Sequence, residues 1–180
     1  TVHAVKKAQE AGIRFIVATG RNFEQAIHAM GDSGIICDFI VNSGAEIRNS
    51  KHEVLQSGSM NIQDCKAVYD ILKRYHLMYL FVSENTDYCI GSTKDREQEL
   101  IQHILTFEQG ITEAEARETS LFKSMLSKTE VVSSFDELAE SGKPITKIFA
   151  ASDDLVILKD IEKQLRENPN LAVASSFENN

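Results

Sequence analysis

The sequence predicts an α/β protein in two parts: a partial, Rossmann-type parallel-sheet core over residues 1–57 and an α+β domain over residues 58–180. Three observations carry that expectation. Short all-apolar runs alternate with helical patterns in the first fifty residues, as in a parallel sheet covered on both faces. The small residues Ser57-Gly58-Ser59 then read as a linker. Beyond them a helical stripe is followed by two strand runs, and the first two members of that unit recur near the C-terminus.

In the first part, Thr1 to Ala11 places Val2, Val5 and Ala8 on one helical face, and Gly12 stands where a left-handed residue ends such a helix. Phe15 to Val17 is a short buried strand that runs into the turn Thr19-Gly20-Arg21. The next helix, from about Phe23 to Met30, spaces Phe23, Ala26, Ile27 and Met30 along one side and stops at Gly31. Phe39 to Val41 is the second strand, and it too ends in a polar turn, Asn42-Ser43-Gly44. Ala45 to Arg48 and Glu53 to Gln56 read as a hairpin through Asn49-Ser50-Lys51, either a plain edge flap or a ligand contact.

In the second part, Asn61 caps a helix whose buried stripe is Ile62, Cys65, Val68, Tyr69 and Leu72. Strands Met78 to Val82 and Tyr88 to Ile90 follow, joined by the turn Glu84 to Asp87. Helices are expected over Lys94 to Phe107, Glu113 to about Leu126, and Ser134 to Glu140, then a strand over Ile145 to Ala150. Ser152 caps a last helix with Asp153 and Asp154 in its first turn, Pro169 ends it, and Leu171 to Ser176 is a strand.

The chemistry concentrates in the two polar turns. Thr19-Gly20-Arg21 sits at a helix N-terminus, where backbone N–H groups and the dipole favour an anion such as phosphate. Thr19 offers a hydroxyl, Gly20 a close backbone approach, and Arg21 a planar fork of donors. In open parallel sheets ligands gather at the carboxyl ends of strands, so two such turns on successive strands face one crevice. Strand-turn-helix junctions with glycine are also common without a ligand. Arg21 either touches substrate or braces the turn, and Asn42 either hydrogen-bonds substrate or stabilises its own turn.

Composition narrows the class. Of the 180 residues, 42% are hydrophobic and 26% charged, which is ordinary for a globular protein. A net charge of -8 disfavours a nucleic-acid partner. Cys37, Cys65 and Cys89 form no paired spacing, so a reducing, cytoplasmic setting is expected, with no disulfide framework and no membrane span. The histidines His3, His28, His52, His76 and His103 share no metal-ligand spacing and read as surface residues, and the acidic run Glu113 to Glu118 reads as a solvated helix face.

The segments AQEAGIRFIVATGR (Ala8 to Arg21) and FIVNSGAEI (Phe39 to Ile47) resemble the haloacid dehalogenase (HAD) superfamily, specifically the Cof-type phosphatases with a type-II cap of the B subclass. The resemblance implies that Thr19 is the hydroxyl residue of the second signature motif, which orients the transferring phosphoryl group. It implies phosphate or substrate contacts for Thr19, Gly20, Arg21, Asn42, Ser43 and Gly44, although Ser43 interrupts the family's Asn-Gly-Ala turn. It also implies Mg2+, a small phosphorylated metabolite such as a sugar phosphate or phosphorylated cofactor, and an aspartyl-phosphate intermediate. The second part would be the cap, two helix-strand-strand units on one antiparallel sheet with helices on one face, and Ser175 or Ser176 could turn toward substrate.

The family's Asp-x-Asp-x-Thr nucleophile motif and its Lys and Gly-Asp-x-x-Asn-Asp motifs have no counterpart among these residues. The expectation is a chain cut at both ends, lacking the last cap strand, with a thinly packed core half and no metal ligands of its own. The competing expectations are a phosphomutase, which uses the same motifs, and a non-catalytic ligand- or partner-binding module. Oligomeric state is not legible in the sequence.

Overall fold

Ile16–Ala18 (β1) and Asp38–Val41 (β2) pair in parallel, with Val17 opposite Phe39, because an amphipathic helix, Phe23–Met30 (α2), carries the chain back between them. The computed structural model describes residues 1–75, 77–84, 86–108 and 110–175. The chain divides into two units, Thr1–Ser59 and a second beginning at Met60.

In the first unit, Val2–Glu10 (α1) precedes β1, and Glu46–Arg48 (β3) and Val54–Ser57 (β4) extend the sheet beyond β2 in antiparallel fashion. The sheet order is β1-β2-β3-β4. Gly12, at φ +79°, lets α1 end as expected, its amide donating to the Gln9 carbonyl. The core is small: Ala26, Cys37, Phe39 and Val41 are buried, with Phe15, Val17, Phe23 and Ile27 packed against them. No residue of α1 is buried, and every residue of β4 is exposed.

The second unit has a larger, two-sided core. Ile62–Leu72 (α3) leads into Met78–Val82 (β5) and Asp87–Ile90 (β6), then Thr93–Phe107 (α4), Glu113–Glu118 (α5) and Ser120–Lys128 (α6). Thr129–Val132 (β7), Phe135–Glu140 (α7), Lys147–Ala151 (β8) and Leu155–Leu165 (α8) complete it among the described residues. The order is β7-β6-β5-β8, with β5 antiparallel to both β6 and β8.

Strand alternation sends Met78 and Leu80 to one face, where they meet Cys89, Leu100, Ile101, Ile104 and Phe122. It sends Phe81 to the other, where Cys65, Tyr88, Phe135 and Leu138 enclose it. Tyr69 stacks on Phe135 at 5.3 Å between ring centroids, and Phe81 meets Phe135 at 6.0 Å. α8 is tied to the end of α3 by Tyr75, whose hydroxyl donates to Asp160 at 2.5 Å and accepts from Gln164 at 2.8 Å.

Several expectations change. The sheet is mixed, because β7, which the sequence did not suggest, pairs with β6 in parallel. Helices cover both of its faces rather than one. The stretch 113–126 is two helices, since Thr119 leaves helical geometry at ψ 146° and caps the second. Asp154, not Ser152, caps α8, its carboxylate accepting from the Val156 and Ile157 amides. Residues 171–175 form no strand, and Ser176 and His76 lie outside the described residues. His103 is not a surface residue: it is half-buried against Phe149, and burial pulls its pKa below the ordinary value.

Phe81 is fully buried between β6, α3 and α7, so Phe81→Ala should lower unfolding stability by roughly 3–5 kcal/mol. Val54→Ala on exposed β4 should move it by less than about 0.5 kcal/mol. Urea denaturation of the two variants checks the contrast.

Candidate functional site

Two turns at the carboxyl ends of β1 and β2 are joined by backbone hydrogen bonds. The Thr19 amide extends the parallel ladder, donating to the Ile40 carbonyl at 2.9 Å. Past that point the donors reverse: the Asn42 amide donates to the Arg21 carbonyl at 2.8 Å, and the Ser43 amide to the Thr19 carbonyl at 3.2 Å. The reversal requires left-handed backbone in sequence, with φ +51° at Asn42, +59° at Ser43 and +98° at Gly44. Asparagine and glycine accept that region readily, whereas serine does so at a cost of about 1 kcal/mol. Thr19, Arg21, Asn42 and Ser43 are thereby brought together, and Gly44 supplies the last step of the turn into β3.

The groups free to meet a ligand are fewer than the sequence suggested. The Arg21 amide donates to Thr19 Oγ1 at 3.2 Å. The Asn22 amide donates to Gln25 Oε1 at 3.2 Å, and the Gln25 amide returns a bond to Asn22 Oδ1 at 2.9 Å, closing a capping box on α2. The amides of residues 19, 21 and 22 therefore serve the turn itself. Thr19 Oγ1 accepts one bond and keeps its own hydrogen to donate, and its side chain is half-buried. Arg21, Gly20, Ser43 and Gly44 are exposed, while Asn42 is only 3% exposed. Left-handed geometry and burial together give Asn42 a structural part in the turn.

A support behind these turns went unread in the sequence. Glu46, 5% exposed, accepts from Arg48 Nε at 2.5 Å. The Arg48 guanidinium lies 4.3 Å from the centroid of Phe23, the first residue of α2. Phe23 meets Phe39 edge-on at 5.2 Å, and the His52 ring closes the cluster 5.0 Å from Phe23. Opposite charges two apart on a strand, Glu46 and Arg48, share one face; that period-two pairing is the signal that could have found them. The hairpin thus braces the start of α2 through β3, while β4 remains an exposed flap.

Other chemistry-bearing groups lie elsewhere. All three cysteines are buried and free, and burial pushes Cys65 up to about 11, which keeps it a protonated thiol. Ser175 is exposed in the irregular segment after α8. Among the described residues no group of three or more His, Cys, Asp or Glu side chains could hold a metal ion, and no helix is long and apolar enough to cross a membrane.

A profile of haloacid dehalogenase-like hydrolases matches residues 1–180. A haloacid dehalogenase-like hydrolase from B. subtilis superimposes with a TM-score of 0.71 at 19% identity, covering 98% of this chain and 63% of that one. The HAD subclass IIB sugar phosphatase BT4131 gives 0.57 at 18% identity, covering 92% and 55%. A structure described as preserving a trigonal-bipyramidal intermediate in a phosphoryl-transfer superfamily also gives 0.57 at 18%, covering 91% and 54%. The chain thus spans about three fifths of the solved B. subtilis structure. A comparison with curated proteins returned no significant match.

The left-handed run at 42–44 makes a directional prediction. Ser43→Gly should raise stability by about 0.5–1 kcal/mol, and Ser43→Val should lower it by at least about 1 kcal/mol. Thermal unfolding of both variants checks the sign.

Proposed function

The chain belongs to the haloacid dehalogenase-like hydrolase family, matched over residues 1–180, and from that premise we propose that it supplies the phosphoryl-orienting turn of a phosphatase acting on a small phosphorylated metabolite. The observation that carries this reading is the junction of the two strand-end turns, which keeps Thr19 and Arg21 just before the start of α2. A sugar phosphatase among the similar structures supports a phosphorylated sugar or a compound of like size as substrate.

In this reading Thr19 donates its hydroxyl hydrogen to one phosphoryl oxygen, and the bond from the Arg21 amide to Oγ1 orients that hydrogen outward. Arg21 offsets phosphate charge from the exposed side, and the positive end of α2 adds to the attraction. Holding phosphoryl oxygens in place while charge redistributes is the larger part of phosphoryl-transfer catalysis. Asn42, Ser43 and Gly44 act by fixing the turn against which Thr19 and Arg21 are set.

Mg2+ would supply charge neutralisation in such a reaction. The described residues do not fit it, since no group of three or more His, Cys, Asp or Glu side chains converges among them. No step is therefore assigned to the metal through these side chains, and the aspartyl-phosphate chemistry of the reading belongs to an Asp-x-Asp strand that these residues do not include.

Inorganic phosphate titrated into the 180-residue chain should shift amide resonances of residues 19–23 and 42–45, and Thr19→Ala should weaken binding at least about fivefold. Unmoved resonances at both turns would refute the phosphate site. The same polypeptide should turn over no p-nitrophenyl phosphate, and measurable turnover by it would show that the chemistry resides in residues not identified above.

A further inference from the structure

Arg48 of β3 is held at three points. Its Nε donates to the buried Glu46 carboxylate at 2.5 Å, its Nη1 donates to the His52 carbonyl at 3.2 Å, and the guanidinium carbon lies 4.3 Å from the centroid of the Phe23 ring. The hairpin loop prepares the second of these contacts. Asn49 Oδ1 accepts from the Lys51 amide at 2.9 Å and from the Glu53 amide at 3.0 Å, and the His52 amide donates to the Asn49 carbonyl at 2.8 Å. These bonds accompany left-handed backbone at His52, φ +69°, and leave its carbonyl to Arg48. A planar fork can make both hydrogen bonds and still lay its face on a ring, which a lysine cannot do.

Phe23 carries this grip to the turn. It is the first residue of α2, directly after the cap Asn22 and two residues after Arg21. Its ring also meets the buried Phe39 edge-on at 5.2 Å. A ring fixed on both the core and the guanidinium restrains the start of α2. Two further features depend on that start: the capping box of Asn22 and Gln25, and the Arg21 carbonyl that accepts from the Asn42 amide. The charge of Arg48 is meanwhile balanced by Glu46, so the pair adds little net attraction for an anion at a distance.

We propose that Arg48 is a positioning residue of the phosphate-binding turn: it sets phosphate affinity by holding Phe23, and with it the cap of α2, rather than by touching the anion. This role rests on the phosphate reading of Thr19 and Arg21 given above.

The test uses the 180-residue chain and two variants. Arg48→Met keeps an apolar stem without the guanidinium, and Glu46→Gln combined with Arg48→Met removes a charge of each sign. Inorganic phosphate, followed by the amide resonances of residues 19–23, should bind both variants at least about threefold more weakly than the unsubstituted chain. Without phosphate, the Gln25 amide should exchange at least about threefold faster in both, while the Thr19 amide, bonded to the Ile40 carbonyl, keeps its protection. Undiminished affinity in the double variant would mean that Arg48 acts by charge alone, and undiminished affinity in Arg48→Met that it does not act on the turn; either result overturns the role while leaving the phosphate site standing. Unchanged exchange at Gln25 overturns it whatever the affinities. An unsubstituted chain that binds no phosphate is a different result, because it removes the site itself.

Discussion

Two backbone hydrogen bonds, from the Asn42 amide to the Arg21 carbonyl and from the Ser43 amide to the Thr19 carbonyl, are the constraint on which the first unit depends. Parallel strands end at different heights unless something beyond the ladder fixes them. Here the fixing element is a left-handed run at residues 42–44, which turns the amides of β2's exit back toward β1's exit. A chain that left β2 in extended geometry would point those amides elsewhere, and Thr19 and Arg21 would belong to an unrestrained loop. The Glu46–Arg48 pair adds a second tie, because Arg48 lies on the ring of Phe23 where α2 starts. Both ties act on the same few residues, so a core with only four buried side chains can still hold a defined turn.

The second unit achieves its order differently. Alternate residues of β5 feed two separate apolar clusters, and helices shield both faces of its sheet. Polar groups that enter this interior meet partners: Ser83, nearly buried, donates to the Pro144 carbonyl at 2.8 Å, and the Thr129 hydroxyl donates to the Met125 carbonyl at 2.9 Å. Arg96 differs, for its Nη1 donates to the Thr129 carbonyl at 3.0 Å while its buried Nε meets no partner.

Much of this was legible in the sequence, for physical reasons that also mark where legibility stopped. Phe15 to Val17 and Phe39 to Val41 are apolar runs bounded by glycine and polar turns, and such runs identify parallel strands; Phe39 and Val41 are buried as expected, whereas Ile16 and Ala18 of β1 are exposed and Phe15 and Val17 only half-buried, contrary to the expectation of a buried first strand. The stripe Cys65, Val68 and Leu72 identified α3 because its spacing matches the helical period. β7 escaped because Thr129 to Val132 follows α6 with no glycine or proline between them, so nothing local marks the change of period. Its parallel pairing with β6 depends on contacts more than forty residues apart, which no window reveals. Ser152 and Asp154 are both good caps, and only the geometry chose the second. At the candidate site the residue types were readable, but the engagement of the turn's amides was not, since it follows from the capping box and from the Thr19 hydroxyl.

Hydrogen exchange at single amides tests the central constraint most directly. If the two turns are joined as described, the Asn42 and Ser43 amides, which lie outside any strand ladder, should exchange as slowly as the Thr19 amide within it. Free exchange at 42 and 43 alongside protection at Thr19 would mean that the turns are not held together, and the arrangement built on them would not stand.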